Sequence, residues 1–419
     1  MSIPITSRTT RRRRAVLSAA VLSTAFLATG ATAVTAVGAS ASPSVAAIKV
    51  AEAKKPKPKP KPKPKPKPKP TTTTTSKSTT PVTDETPPSG NSTIYEEGST
   101  LLYPLYQEWA PAYHSAYSNV TIDPAGGGSG KGVTDAAAGV IDIGSSDAYL
   151  SSSQLTEYPG MKNIALEISA QMVNYNIPGL SASVHLKLTG QVISQIYQGK
   201  ITTWNDPAIA NLNPGVSLPA DKIIAIHRQD SSGDTFLFTT FLSDADPSGW
   251  GSSIGYGTTV SFPSISNSAT GNGNSGMVTA CQGTPGCIAY IGISYESSTQ
   301  KAGLGEAQLA NASGKYELPV ASTIVAEAKA LEAKTPPSET LSLIYDNASD
   351  GYPIVNYEYA ILPAKESSNQ KAAAVRAFLY WAIDPNKGSS ATYLTPVNFQ
   401  PLTPAVAALS DAQIAQISG

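Results

Sequence analysis

Beyond about residue 90 the apolar positions follow two alternating periods. Residues 103–117 (YPLYQEWAPAYHSAY) repeat aromatic and aliphatic positions at helical spacing and predict an amphipathic helix; NVTID, 119–123, predicts a short strand. After the break GGGSGKG come a helical segment at 133–139 and a strand at 140–144 (VIDIG). Further along, the pattern predicts a helix at 191–198, an apolar strand at 222–227 (KIIAIH) and a helix at 235–242. A strand at 354–362 (IVNYEYAIL) and a helix at 369–381 follow near the end. Short apolar strands alternating with helices predict an α/β protein with largely parallel sheets. Such sheets place ligands at the carboxyl ends of strands, where loops lead into helix N-termini.

The first ninety residues do not share this pattern. Residues 1–90 hold 16 Lys+Arg against 3 Asp+Glu, a formal +13, so the remainder carries −13 beneath a net charge of zero. Arg8 and Arg11–Arg14 precede an apolar, Ala-rich stretch and the small residues Ala39-Ser40-Ala41, which predicts a signal peptide over 1–41 and export. The alternative, a retained membrane anchor, is opposed by the Thr, Ser and Gly that interrupt the apolar run after Ala28. Whether export is general or through the twin-arginine route stays open. No cysteine lies near the cleavage region, so no bacterial lipid anchor is evident.

Residues 42–91 read as a linker, disordered or polyproline II. Its Lys-Pro repeat, 55–70, should form an extended rod of roughly 50 Å. That row of lysines is either a solvated spacer or a contact with an anionic cell envelope. The acidic body argues against nucleic acid as a partner, because neutralising phosphate backbones takes clustered Lys and Arg. The two cysteines, Cys281 and Cys287, flank a Thr-Pro-Gly turn, and in an exported chain they predict a disulfide.

Three segments share one design: Gly98-Ser99-Thr100, Gly126-Gly127-Gly128-Ser129-Gly130 and Ser231-Ser232-Gly233 each lead into a helical pattern. A helix N-terminus presents unpaired N–H groups and partial positive charge, and Ser or Thr adds a hydroxyl, so each suits an anion. Each alone is equally an ordinary N-cap. GGGSGKG lacks the Lys-Ser/Thr ending of a nucleotide-binding P-loop. Beside the third segment stands Arg228, one of only two arginines beyond residue 90, the other being Arg376. Its guanidinium fork can clamp an oxyanion while Asp230 orients it; the two also read as a plain salt bridge. Asp147, at a strand end, is an acceptor that tolerates only an anion carrying a proton, as phosphate does and sulfate does not. Its alternative reading is a helix N-cap.

With these residues in view the chain resembles the extracytoplasmic phosphate-binding protein of a high-affinity phosphate ABC transporter, of a Gram-positive, actinobacterial type. The resemblance spans about residues 95–405 and rests on blocks in family order: GSTLLYPLYQEWA, GGGSGKGV, DIGSSDAYL, NYNIPGL, LTGQVISQIYQGKITTWNDPAIANLNPG, HRQDSSGDTFLFTTFL and GNGNSGM. It implies the two-lobed periplasmic-binding-protein-like fold of type II, with the ligand in the inter-lobe cleft and two hinge strands. Lobe 1 is then 92–174 with 356–419, lobe 2 is 175–355, and the hinges lie near 173–177 and 354–357.

The resemblance implies a phosphate shell of Thr100, Leu101 (backbone N–H), Ser129, Asp147, Arg228, Ser232 and Gly233, with Asp230 orienting the arginine. At the next position many members place Ser or Thr, whereas this chain has Asp234. Its backbone N–H is still a donor, but its carboxylate must point away or pair with a cation. The implied function is uptake of inorganic phosphate through an ABC permease, with no enzyme activity, cofactor or metal. The alternatives are a receptor for another tetrahedral oxyanion (sulfate or molybdate) and an exported phosphatase. For the latter, His114, His185 and His227 match no ligand spacing.

Overall fold

A single strand, Met161–Asn176, runs through both halves of the folded body and is 16 residues long. In this computed structural model residues 83–346 and 348–419 are described; the expected signal peptide and the Lys-Pro repeat lie outside the described residues. The first part of the long strand pairs antiparallel with Val355–Pro363, down to the pair Val355–Ala170. The second part pairs antiparallel with Cys287–Gly292, beginning at Gln171–Gly292. The strand therefore changes partners between Ala170 and Gln171.

Across the sheet the strands run in the order Val120–Gly126, Ser92–Gly98, Ile143–Ser146, Val355–Pro363, Met161–Asn176, Cys287–Gly292, Ile224–Arg228, Ser268–Gly271. Pairing is parallel among the first three strands and again among the last three. The mixed α/β sheet is thus two parallel half-sheets joined through two antiparallel central strands. Such strands are covered on both faces, which is why their runs are nearly continuously apolar. Polar exceptions on the long strand are informative. Ser169 and Gln171, two residues apart, project from the same face of the strand, and both are fully buried.

Helices fill the layers around the sheet. Tyr103–Ala116 packs on Asn369–Ile383 through interlocked rings, with Tyr113 and Phe378 edge-to-face at 5.2 Å. Such pairs contribute about 0.5–1.5 kcal/mol each beyond area burial. In the other half, Phe238 of the helix Gly233–Ala245 stacks on Tyr290 at 4.4 Å. Cys281 and Cys287 form the expected disulfide, with Cα atoms 5.4 Å apart. It ties the end of the helix Gly273–Gln282 to the start of the strand Cys287–Gly292.

Two expected elements are displaced. The strand expected at 140–144 is found at Ile143–Ser146. Asp142 accepts hydrogen bonds from the Tyr95 N–H and the Lys371 ammonium, both at 2.8 Å, so the segment before it is a turn. The helix expected from residue 133 already starts at Ser129, so the last four residues of GGGSGKG are helical.

Residues 83–91, expected as the end of the linker, are seated on the body. Asp84 pairs with Lys387, Glu85 makes a two-pronged ion pair with Arg376, and Asn119 donates to the carbonyls of Pro88 and Gly90. Among the described residues no helix is long and apolar enough to cross a membrane.

Candidate anion-binding site

Strand ends from both half-sheets converge where the sheet changes partner. Three turns arrive there: the one after Ser92–Gly98, the Gly-rich one before Ser129–Ala137, and the one between Ile224–Arg228 and Gly233–Ala245. Ser129, Asp147, Arg228, Ser232, Gly233 and Asp234 are all buried in this region.

The Arg228 side chain is 1% exposed. Its position is set from behind, because its backbone N–H donates to Tyr290 Oη at 2.9 Å and Tyr290 Oη also meets Thr235 Oγ1 at 2.8 Å. Arg228 Nε donates to Asp230 Oδ1 at 2.8 Å and Nη2 donates to Oδ2, a two-pronged ion pair. Asp230 Oδ1 also accepts from the Gly273 N–H at 3.1 Å. On the opposite side Nη1 donates to Asp234 Oδ2 at 2.6 Å. The carboxylate that had to point away or find a cation has found Arg228. Of the five guanidinium N–H groups three are thus engaged and two remain.

The helix Gly233–Ala245 has no side-chain cap, and the N–H groups of Gly233, Asp234 and Thr235 have no acceptor among the described residues. Ser232 Oγ is likewise buried without a partner. A Cβ at Gly233 would lie 2.4 Å from Asp147 Oδ2 and 2.6 Å from Ser129 Oγ, so glycine lets these three groups meet.

Asp147 is not the cap of the following helix; Ser151 is, accepting from the Gln154 N–H at 3.2 Å. Instead Ser99 Oγ donates to Asp147 Oδ1 and Ser129 Oγ to Oδ2, the latter at 3.4 Å. Burial, reinforced by the charge of Asp234, pushes the Asp147 carboxyl up to about 7. Behind it stands Glu358, bonded to Ser169 at 2.5 Å and Asn356 at 2.9 Å. Burial and then Asp147 hold Glu358 well above the usual carboxylate range.

The two sides of the cleft touch. The Gly130 N–H donates to Ser231 O at 3.1 Å, and the Asn274 N–H and Nδ2 both donate to Thr100 Oγ1 at 3.1 Å. A Cβ at Gly130 would fall 2.1 Å from Ser231 Oγ, which explains a glycine-rich turn here: closure needs backbone against backbone. Leu101 N–H, expected in the ligand shell, donates to Ser99 Oγ at 3.0 Å, as does Leu102 N–H, and the Leu101 side chain lies in the core.

Sequence reasoning missed Ser99 as the anchor of Asp147, and it missed Asn274 and Gln171. Asn274 Nδ2 donates to Asp234 Oδ2 at 2.7 Å and Gln171 Nε2 to Oδ1 at 3.0 Å. A signal existed for Gln171 and Glu358, polar residues inside otherwise apolar strand runs. His227 stacks on Phe262 at 4.3 Å, a packing role, while His114 and His185 bond backbone carbonyls elsewhere.

A type II two-lobed binding fold, with an anion cradle built from strand ends of both halves, is the class these features define. The family profile described as "PBP superfamily domain" matches residues 71–386. The phosphate-binding protein PstS of Methanocaldococcus jannaschii is 35% identical over 332 residues, covering 74% of this chain and 84% of that protein. The phosphate-binding protein PstS of Xylella fastidiosa is 32% identical over 305 residues, covering 71% and 80%. Among solved structures, the phosphate-binding protein from Stenotrophomonas maltophilia aligns with a TM-score of 0.60 at 21% identity, covering 76% of this chain and 93% of that one. The chain belongs to the PBP superfamily and, within it, to the phosphate-binding proteins.

Proposed function

We propose that this protein binds inorganic phosphate in the cleft outside the cell membrane and delivers it to an ABC permease for import. One observation carries the reading: a buried guanidinium with two N–H groups to spare stands beside an uncapped helix N-terminus and the unpartnered Ser232 hydroxyl, with the Asp147 acceptor nearby. The shell is Thr100, Ser129, Asp147, Arg228, Ser232, Gly233 and the Asp234 backbone N–H, with Asp230 as the orienting residue; Leu101 is not part of it because its N–H is taken by Ser99 Oγ. The lobes are 92–174 with 356–419, and 175–355, moving about the two central strands. The chain is exported by a signal peptide over 1–41, and the Lys-Pro tract is a solvated spacer, with contact to an anionic envelope as the alternative reading. No enzyme activity is assigned, since a passive receptor needs dipoles and one charge clamp and the cleft supplies these.

Asp147 decides between tetrahedral anions. Above pH 7, where it is ionised, the Asp147 carboxylate accepts hydrogen bonds but cannot donate them, so sulfate would set a bare anionic oxygen against its open acceptor positions. Calorimetric titration of the protein at pH 8, above the raised Asp147 value, should therefore give phosphate binding and no sulfate heat. Sulfate bound as tightly as phosphate would overturn the phosphate assignment, and heat from neither would overturn the receptor reading.

A further inference from the structure

We propose that Asp234 makes this cleft a receptor for dihydrogen phosphate, the anion with two protons, one shared with Asp147 and the other with Asp234; this rests on the phosphate reading above. Charge and acceptor count both lead there.

The groups facing Asp234 come from several elements. Arg228 and Asp230 lie before it in the same turn, and Asp147 follows the strand Ile143–Ser146. Tyr290 and Tyr295, both held protonated by burial, border it, and Glu358 stands behind Asp147. Gln171 and Asn274 are its neutral partners. Above pH 7, with all three carboxyls ionised, one guanidinium stands against Asp230 and Asp234, which it bonds, and Asp147 nearby, before any ligand enters. A dianion would bring two more negative charges into a buried site of that balance, where charges are costly unless paired. The monoanion brings one.

Acceptor capacity gives the same answer. A carboxylate has about four lone-pair positions. Asp234 uses three, two on Oδ2 for Arg228 and Asn274 and one on Oδ1 for Gln171. Asp147 uses one on each oxygen, for Ser99 and Ser129. A phosphate oxygen can meet the positions that remain open only through an O–H. Dihydrogen phosphate has two O–H groups for the two carboxylates and two bare oxygens for the Arg228 and helix N–H donors. Monohydrogen phosphate has only one O–H, and sulfate has none. Burial raises the Asp234 carboxyl against its donors, the direction in which a shared ligand proton is held.

The test is calorimetric titration of the full-length protein with inorganic phosphate between pH 5.5 and 8.5, beside Asp234→Thr and Asp234→Asn. Phosphate loses its second proton near neutrality, and above that each pH unit removes the dihydrogen form about tenfold. The wild type should lose about tenfold in affinity between pH 7.5 and 8.5, whereas both variants should lose less than about threefold. The wild type should also take up about one proton per phosphate at pH 8.5, read from heats in two buffers of different protonation enthalpy; this readout needs no variant. A flat wild-type profile, no proton uptake, or variants that keep the wild-type slope would overturn the assignment of Asp234. Failure of the wild type to bind phosphate at any pH would instead sink the phosphate reading, and this inference with it.

Discussion

Arg228→Ala is expected to weaken phosphate binding by at least about 100- to 1,000-fold, while Arg376→Ala leaves it within about twofold. Removing one partner of a buried ion pair costs about 3–5 kcal/mol, and each 1.4 kcal/mol is a factor of ten in affinity. Here the loss is compounded, because Asp230 and Asp234 both rely on the same guanidinium. Without it their charges repel the incoming anion and the two spare donors are gone. Arg376 is the control of equal chemistry and different place. It sits on the helix Asn369–Ile383, partly buried, holding Glu85 of the 83–91 strap and donating to the Ile417 carbonyl at 2.8 Å. Calorimetry on both variants, with circular dichroism to establish that each is folded, reads the difference. Equal losses would contradict the site.

The second large effect concerns stability against pH. Glu96, Glu167, Glu339 and Glu358 are each no more than 2% exposed, and none pairs with a Lys or Arg among the described residues. Burial pushes the carboxyls of Glu96 and Glu339 up to about 8, and those of Glu167 and Glu358 well above the usual range. A carboxyl whose folded pKa exceeds its unfolded one keeps more protons in the folded state. Its stabilisation is fully present below the unfolded value, near 4.5, and is lost as pH rises through the folded value. Each such group removes up to about 1.4 kcal/mol per pH unit across that window. The melting temperature should therefore fall by at least about 10 °C between pH 5 and pH 8. Glu96→Gln, which cannot ionise, should make that slope shallower. A melting temperature that is flat or rises over this range would contradict the account.

How much was legible in the sequence follows from range. The helix starts, the three turns and Arg228 are local signals: a glycine or hydroxyl before an apolar period needs no distant partner to be seen. Asp147 was legible as an acceptor at a strand end, and the structure removes its alternative role as a helix cap. What escaped depends on contacts far apart in the chain. Asn274 reaches Thr100 across the cleft, Gln171 reaches Asp234, and Tyr290 sets the Arg228 backbone; Gln171 stands out as a polar residue in an apolar run, but nothing local names the distant partner of any of the three. The glycines of the Gly-rich turn were legible as anion-friendly backbone. Their tight fit against Ser231 emerges only when the two halves meet.

The most direct measurement is a crystal structure of the protein grown with phosphate near pH 5. A single tetrahedral anion should lie within hydrogen-bond distance of Arg228, Ser232 and the Gly233 N–H, with one of its oxygens on Asp147 and another on Asp234. An anion bound elsewhere, or a cleft that stays without one at saturating phosphate, would contradict the account.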